Sequence, residues 1–413
     1  MDPLRHGRRP VGGRPVRRLV TEFRSFDRPS RLLMVNQFTI NVGFYMLMPY
    51  LAGYLAGPLG LAGWAIGLVL GVRNFSQQGM FLLGGTLADR FGYKPLIVAG
   101  CVLRTAGFAL LGVVESLPTL MIASAATGFA GALFNPAVRA YLAADAGERR
   151  VSAFALFNVF YQGGILLGPV VGLLLTAVDF RLTCLVAAGV FAGLTVLQIR
   201  SLPRHTAVRQ QRSVLGDWRL VLTNRPFLLF ALAMIGSNVL SFQIYLALPL
   251  RAKAITGSEA LVTALFVVSA VLAIAGQLRI TAWFRDRWGP GRSIVIGAAL
   301  LASAFLPPLL AADSPAGIAA LILSSAMLAL GTVVVFPFEM DTIVRLSGDQ
   351  LVATHYGLYN TIVGVGIMLG NLFAGTVFDI APAAGWIGLT VLGGVCALGL
   401  AMLERRRAFV TSS

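Results

Sequence analysis

Charge is scarce in this sequence: Asp, Glu, Lys and Arg make up 12% of its 413 residues, against roughly a quarter in an ordinary soluble domain. That scarcity excludes a cytosolic enzyme, because uncharged apolar runs of ~20 residues recur along the whole chain at the length that crosses a bilayer as helix. Histidine and cysteine are scarcer still. His6, His205 and His355 lack ligand spacing, and Cys101, Cys184 and Cys396 lie inside apolar runs, so neither a metal site nor a disulfide framework is expected. No G-x-x-x-x-G-K-[ST] string occurs, which removes ATP as an energy source within this chain and leaves no cofactor to expect. Residues Met1 to Arg31 hold nine arginines and no apolar core, so the segment reads as a basic cytoplasmic arm against anionic lipid rather than a cleavable signal peptide.

What is abundant is apolar residues, 57% of the chain, and glycine, 46 residues. Cutting at proline, glycine and charge clusters predicts twelve membrane helices, roughly 32–54, 64–88, 95–115, 118–144, 151–177, 182–200, 227–250, 261–283, 293–312, 317–345, 354–379 and 384–403. The net charge of +16 would suggest nucleic acid in a soluble protein. Here the arginines crowd every second connection and both ends, so the excess is a topology signal that places both termini in the cytoplasm. The expected organisation is an arm (1–31), a six-helix bundle (32–203), a cytoplasmic linker (204–225), a second six-helix bundle (226–404) and a tail (405–413).

The two bundles share a pattern. Asp89-Arg90-Phe91-Gly92 recurs as Asp286-Arg287-Trp288-Gly289, and Leu156-Phe157-Asn158 with Gly164 and Gly168 recurs as Leu358-Tyr359-Asn360 with Gly366 and Gly370. Both matches fall about 200 residues apart, which indicates a duplicated six-helix unit with a substrate site between the halves.

Two strings carry a resemblance. GGTLADRFGYKP places Gly85, Asp89, Arg90, Gly92 and Lys94 at G-x-x-x-D-R-x-G-x-K spacing. Gly85 permits close helix approach, Gly92 a tight turn, Asp89 an interaction with a helix N-terminus, and Arg90 and Lys94 carboxylate or phosphate partners. The string resembles the loop signature of the major facilitator superfamily of twelve-helix secondary transporters. Gly164, Gly168, Pro169 and Gly172 stand in G-x-x-x-G-P-x-x-G spacing, similar to the antiporter signature of that superfamily's drug:proton exporters, or simply a tight helix contact. The strings GVRNFSQQG and TGFAGALFNPAVRA are also similar to bacterial multidrug exporters of this superfamily. The chain departs from those exporters in helix 4, where Ser124 stands in place of an arginine, and in helix 1, which has no acid.

The resemblance implies an all-α major facilitator fold in the inner (cytoplasmic) membrane, two pseudo-symmetric bundles, and multidrug efflux of hydrophobic or amphipathic small molecules by proton antiport. The proton gradient is the energy source. Glu339 and Asp341 are the only carboxylates on a cavity-lining helix, and either could exchange the proton or form a structural ion pair. Asp341 also has Arg345 one turn away. Arg139 and Asp145 read as gate partners for the loop motif or as a solvated helix end. Arg73, with Gln77 on its face, reads as an anion-holding or a structural group, and Arg104 chiefly as structural. Candidate cavity residues are Asn41, Phe44, Tyr45, Arg73, Gln77, Phe134, Asn238, Phe242, Gln243, Tyr245, Phe336 and Phe338, although aromatics in membrane helices more often pack. Expected partners are a small-molecule substrate, protons and anionic lipids, with no nucleic acid and a monomeric state. Alternatives are a dedicated exporter of one metabolite, an uncoupled facilitator, and a non-transporting receptor or scaffold.

Overall fold

The computed structural model describes residues 15–61, 63–203, 213–256, 259–311 and 316–405. Parts of the arm (1–14), linker (204–212) and tail (406–413) lie outside the described residues. Among the described residues there is no strand. The helices are α1 (Pro15–Arg24), α2 (Arg28–Tyr45), α3 (Met48–Ala56), α4 (Gly63–Gln78), α5 (Phe81–Phe91), α6 (Tyr93–Val113), α7 (Leu117–Ala146), α8 (Arg150–Thr176) and α9 (Phe180–Ser201). Then follow α10 (Val214–Thr223), α11 (Arg225–Phe242), α12 (Ala247–Thr256), α13 (Glu259–Ser303), α14 (Leu306–Leu310), α15 (Gly317–Ser347), α16 (Val352–Ile380) and α17 (Pro382–Arg405).

The described parts of the expected segments are mainly helical, though several are broken. Among the described residues, seven runs are long and apolar enough to cross a membrane. Two of these, Leu117–Thr176 with 60 residues and Leu261–Leu310 with 50, are too long for one crossing of a ~30 Å hydrocarbon core. Both contain a glycine at positive φ, Gly147 at 51° and Gly289 at 71°.

The breaks repeat with the sequence. The α5 to α6 junction turns at Gly92 (φ 90°, ψ 155°), and its counterpart in α13 turns at Gly289 (φ 71°, ψ 175°), a backbone region that glycine enters without strain. Helix α2 ends at Tyr45, and after α11 a 3-10 turn, Gln243–Tyr245, ends at Tyr245. Pro49 and Pro249 explain both: each lacks the N–H that would bond the carbonyl four residues back, at Tyr45 and Tyr245. Duplicated prolines therefore interrupt one helix in each half and bring a tyrosine to each interruption.

Packing within each half uses small residues. A Cβ at Gly164 would lie 2.5 Å from the Asn41 Cβ, at Gly168 2.6 Å from the Tyr45 Cβ, and at Gly172 2.1 Å from the Met46 carbonyl oxygen. One stripe of α8 thus meets the backbone of α2 almost directly, while Leu167, Val170, Leu173 and Leu174 on the other side are exposed, as a lipid-facing surface requires. Between the halves, α5 packs on α16 and α8 on α13 and α15.

Candidate functional site

The loop motif closes one end of the molecule across the two halves. Asp89, at the end of α5, accepts hydrogen bonds from the backbone N–H groups of Ala353 (3.1 Å) and Thr354 (2.7 Å) and from the Thr354 hydroxyl (2.7 Å). These donors belong to the first turn of α16, where a carboxylate meets unpaired N–H groups and the positive end of the helix dipole. Approach is close enough to demand glycine on both sides. A Cβ on Gly85 would come within 2.1 Å of the Ala353 carbonyl oxygen, and one on Gly357 within 2.4 Å of that of Phe81.

Arg90 turns to the linker. Its Nη2 and Nε donate to Asp217 of α10 at 2.6 and 3.0 Å, and the adjacent Trp218 Nε1 donates to the Thr86 hydroxyl at 2.9 Å. Lys94 Nζ donates to the Ile199 carbonyl at 2.8 Å, at the C-terminal end of α9. Sequence reasoning missed Asp217, although it is the sole acid in the basic stretch from Arg200 to Arg225.

Arg139 bonds a residue of the opposite half rather than a side chain of the loop motif. Its Nη1 donates to the Asn360 Oδ1 of α16 at 3.0 Å, joining the halves one layer deeper. The pseudo-symmetric residue, Asn158, donates to Gln277 Oε1 of α13 at 2.7 Å, so both copies of the repeated asparagine reach the opposite half. Asp145 accepts from the Ser30 N–H (3.1 Å) and hydroxyl (2.5 Å), in the first turn of α2.

Deeper in the C-terminal half, Glu339 of α15 is 5% exposed and has no salt bridge among the described residues. Its Oε1 accepts from the Tyr359 hydroxyl and from Asn238 Nδ2 at 3.4 Å; Asn238 also donates to the Tyr359 oxygen at 3.2 Å. Three helices, α11, α15 and α16, thus supply one triad. Asp341, two residues on, is paired with Arg345 Nε at 2.6 Å and is 3% exposed. The sequence alternatives for these two acids are thereby separated in geometry: an ion pair at Asp341, neutral partners at Glu339.

A model of the Major Facilitator Superfamily matches residues 33–371. The chain belongs to this superfamily. It is therefore a multi-pass membrane transporter of small molecules, not an enzyme. It is 60% identical over 396 residues to an uncharacterized MFS-type transporter of Mycobacterium tuberculosis, covering 92% of this chain and 94% of that one. It is 26% identical over 374 residues to the multidrug resistance protein MdtH of Salmonella arizonae, covering 89% and 92%. Among solved structures, the human organic anion transporter MFSD10 (TETRAN) matches with a TM-score of 0.69 at 16% identity, covering 91% of this chain and 99% of that one. A point mutant of the nucleoside transporter NupG matches with a TM-score of 0.59 at 17% identity, with the same coverages. The last two establish shared fold.

Against this superfamily fold, the expected cavity lining divides. Phe44, Tyr45, Arg73, Gln77, Asn238, Phe242, Tyr245 and Phe336 keep some accessibility. Tyr45 lies within electrostatic reach of Tyr161 and of Tyr245, so the two proline-interrupted helices place phenols near one another across the halves. Four expectations are corrected. Phe134 is 1% exposed and packs on Gly100 of α6; Phe338 is fully buried; Asn41 is buried and donates to the Tyr161 carbonyl at 2.9 Å; Gln243 is fully buried and donates to the Asn371 Oδ1 at 3.0 Å. Each sits on the face of its helix that meets a neighbour, which residue type alone does not reveal.

Proposed function

We propose that this transporter is a secondary active exporter of hydrophobic or amphipathic small molecules, working by proton antiport and alternating access in the cytoplasmic membrane. The observation that carries this reading is Glu339, a carboxyl group buried in the membrane whose hydrogen-bond partners, Tyr359 and Asn238, are both neutral. An acid bound by a salt bridge is held in its ionised form. One bound by a phenol and an amide can carry its proton or release it as the cavity opens to one side and then the other. Distant relatives that bear the name multidrug resistance protein support the cargo class.

On this reading the motif face is cytoplasmic, and the contacts of Asp89 with the start of α16 and of Arg139 with Asn360 form the inner gate in its closed, outward-facing state. Rocking of the bundles would break these contacts as a set. The close stripe of α8 on α2 keeps the N-terminal bundle rigid during that motion. The basic arm would rest on anionic headgroups, and the working unit is the monomer.

The test is collapse of a pH gradient in proteoliposomes on addition of lipophilic cations, neutral drugs and amphipathic acids. Proton release by several unrelated compounds in the parent, and by none in Glu339→Gln, supports the reading. No release by any compound, or equal release in Glu339→Gln, sinks it.

A further inference from the structure

Two guanidinium groups lie together in the N-terminal half, Arg104 buried and Arg73 partly so, with no carboxylate facing them. Arg104 of α6 is 5% exposed and donates no hydrogen bond to any described residue. Its guanidinium lies 5.4 Å from the ring centroids of both Phe44 and Phe191. Its Nη2 stands so close to Gly131 that a Cβ there would come within 3.1 Å. Arg73 of α4 lies 4.6 Å from the same Phe44 ring and donates only to neutral amide oxygens, Asn74 Oδ1 at 2.7 Å and Gln77 Oε1 at 3.2 Å. The Nε atoms of both arginines are buried without a partner.

Such an arrangement is unfavourable as it stands. Guanidinium keeps its charge under all ordinary conditions, and two of them out of water repel each other. Aromatic faces return part of that cost through cation–π attraction, and they do so without cancelling the charge. A structural pair of arginines would face carboxylates or unpaired helix-end carbonyls. This pair faces rings, amides and the phenols of Tyr45 and Tyr161, and Arg73, the outer of the two, remains partly accessible.

We propose that Arg73 and Arg104 form an anion site, and that the transporter's cargo is an amphipathic organic acid whose carboxylate sits at the two guanidinium groups. Phe44 and the tyrosines at the helix interruptions, Tyr45 and Tyr245, form the wall for its apolar body. The proposal rests on the reading of the chain as an exporter of amphipathic molecules and specifies their charge. Arginine presents paired donors in a fixed plane that match a carboxylate, so the site selects by charge and shape together. An inside-negative membrane potential also favours outward movement of an anion.

The experiment uses the full chain in nanodiscs, without a proton gradient, in a buffer with gluconate as the only other anion. Calorimetric binding is compared for 2-naphthoate, the neutral 2-naphthamide and the cationic 2-naphthylmethylammonium. The expected result is at least about 10-fold tighter binding of the carboxylate than of the other two, lost in Arg73→Gln and in Arg104→Gln, with partial retention in Arg104→Lys. Equal binding of the three probes by the parent overturns the proposal, and that arm needs no variant to fold. Selectivity that survives both glutamine variants also overturns it. A chloride titration separates an inorganic site: displacement of 2-naphthoate by chloride at micromolar concentration assigns the arginines to a small anion and overturns the assignment of cargo. Proton release measured on the same preparation keeps the two readings apart. Charge selectivity without proton release spares the anion site and removes antiport; proton release without charge selectivity does the reverse.

Discussion

In the C-terminal half, a buried carboxyl group is met by a phenol and an amide that both donate to one of its oxygens. In the N-terminal half, two guanidinium groups, one buried and one partly so, are met by rings and amide oxygens that leave a buried Nε of each unused. Both halves carry the same glycine turn and the same proline interruption. The scaffold is shared, and the ionisable residues added to it have opposite sign. What differs is completeness. Glu339 has neutral partners, as a group that gains and loses a proton needs, whereas Arg73 and Arg104 have vacant donors, as a group that receives a ligand needs.

The severest challenge to that contrast is to alter the acid. Glu339→Gln keeps the size of the side chain and a partner for Tyr359, so the protein is expected to fold normally while substrate-dependent proton release falls to background. Glu339→Asp retains the carboxyl group but draws it back by one methylene from Tyr359 and Asn238; a rate about 10- to 100-fold lower with coupling preserved is expected, read as the initial slope of gradient collapse. Unaltered proton release in Glu339→Gln would mean the C-terminal triad is structural.

Thermal stability probes the contrast from the other side. Replacing an unpaired buried charge by an apolar residue of similar length is often stabilising, so Arg104→Met is expected to raise Tm by a few degrees even as it removes 2-naphthoate binding. Tyr359→Phe should act in the opposite direction, because it strips a donor from a buried carboxyl group; a loss of about 1–3 kcal/mol is expected from the shift in Tm. If both variants lower Tm alike, the two sites do not differ in completeness as the contacts imply.

A smaller effect tests the repeat. Asn158→Ala and Asn360→Ala each remove one contact between the halves, to Gln277 and to Arg139. Each is expected to cost about 1 kcal/mol of the closed state, seen as faster labelling of a cysteine introduced near Ala353 on the motif face. The Asn360 variant should have the larger effect, because it leaves the Arg139 charge without its hydrogen-bond acceptor.

Much of this was legible in the sequence. The apolar runs located the helices, and the two D-R-x-G turns marked the duplication because glycine alone enters that backbone region freely. Glu339 and Asp341 stood out because acids in an apolar run are costly, and only Asp341 has a basic residue one turn away. The partners of Glu339 did not, since Asn238 and Tyr359 come from other helices and only packing brings them to one oxygen atom. The cavity aromatics were misassigned in part, Phe134 and Phe338 above all, because a helix buries whichever face meets its neighbour. Arg104 looked structural on a peripheral helix; its lack of any acidic partner is a three-dimensional fact. The Arg90 contact with Asp217 joins segments 127 residues apart, and the polar linker gave no periodic signal for α10 docking there.

Asp341 is where the least change is expected, and it calibrates the rest. It lies two residues from Glu339 on the same helix and is as deeply buried, so position in sequence and burial alone would assign it equal weight. Its partner decides otherwise. Arg345 Nε lies 2.6 Å away one turn along the helix, and the arginine side chain is 51% exposed. Asp341→Asn keeps an acceptor for that Nε, and Arg345 can turn its charge to water, so the cost should stay near about 1 kcal/mol or less. Proton release by Asp341→Asn should match the parent within about 2-fold at equal reconstitution. A large loss would mean that the proton is shared along α15 rather than held at Glu339, and the contrast between the halves would then rest on a pair of acids instead of one.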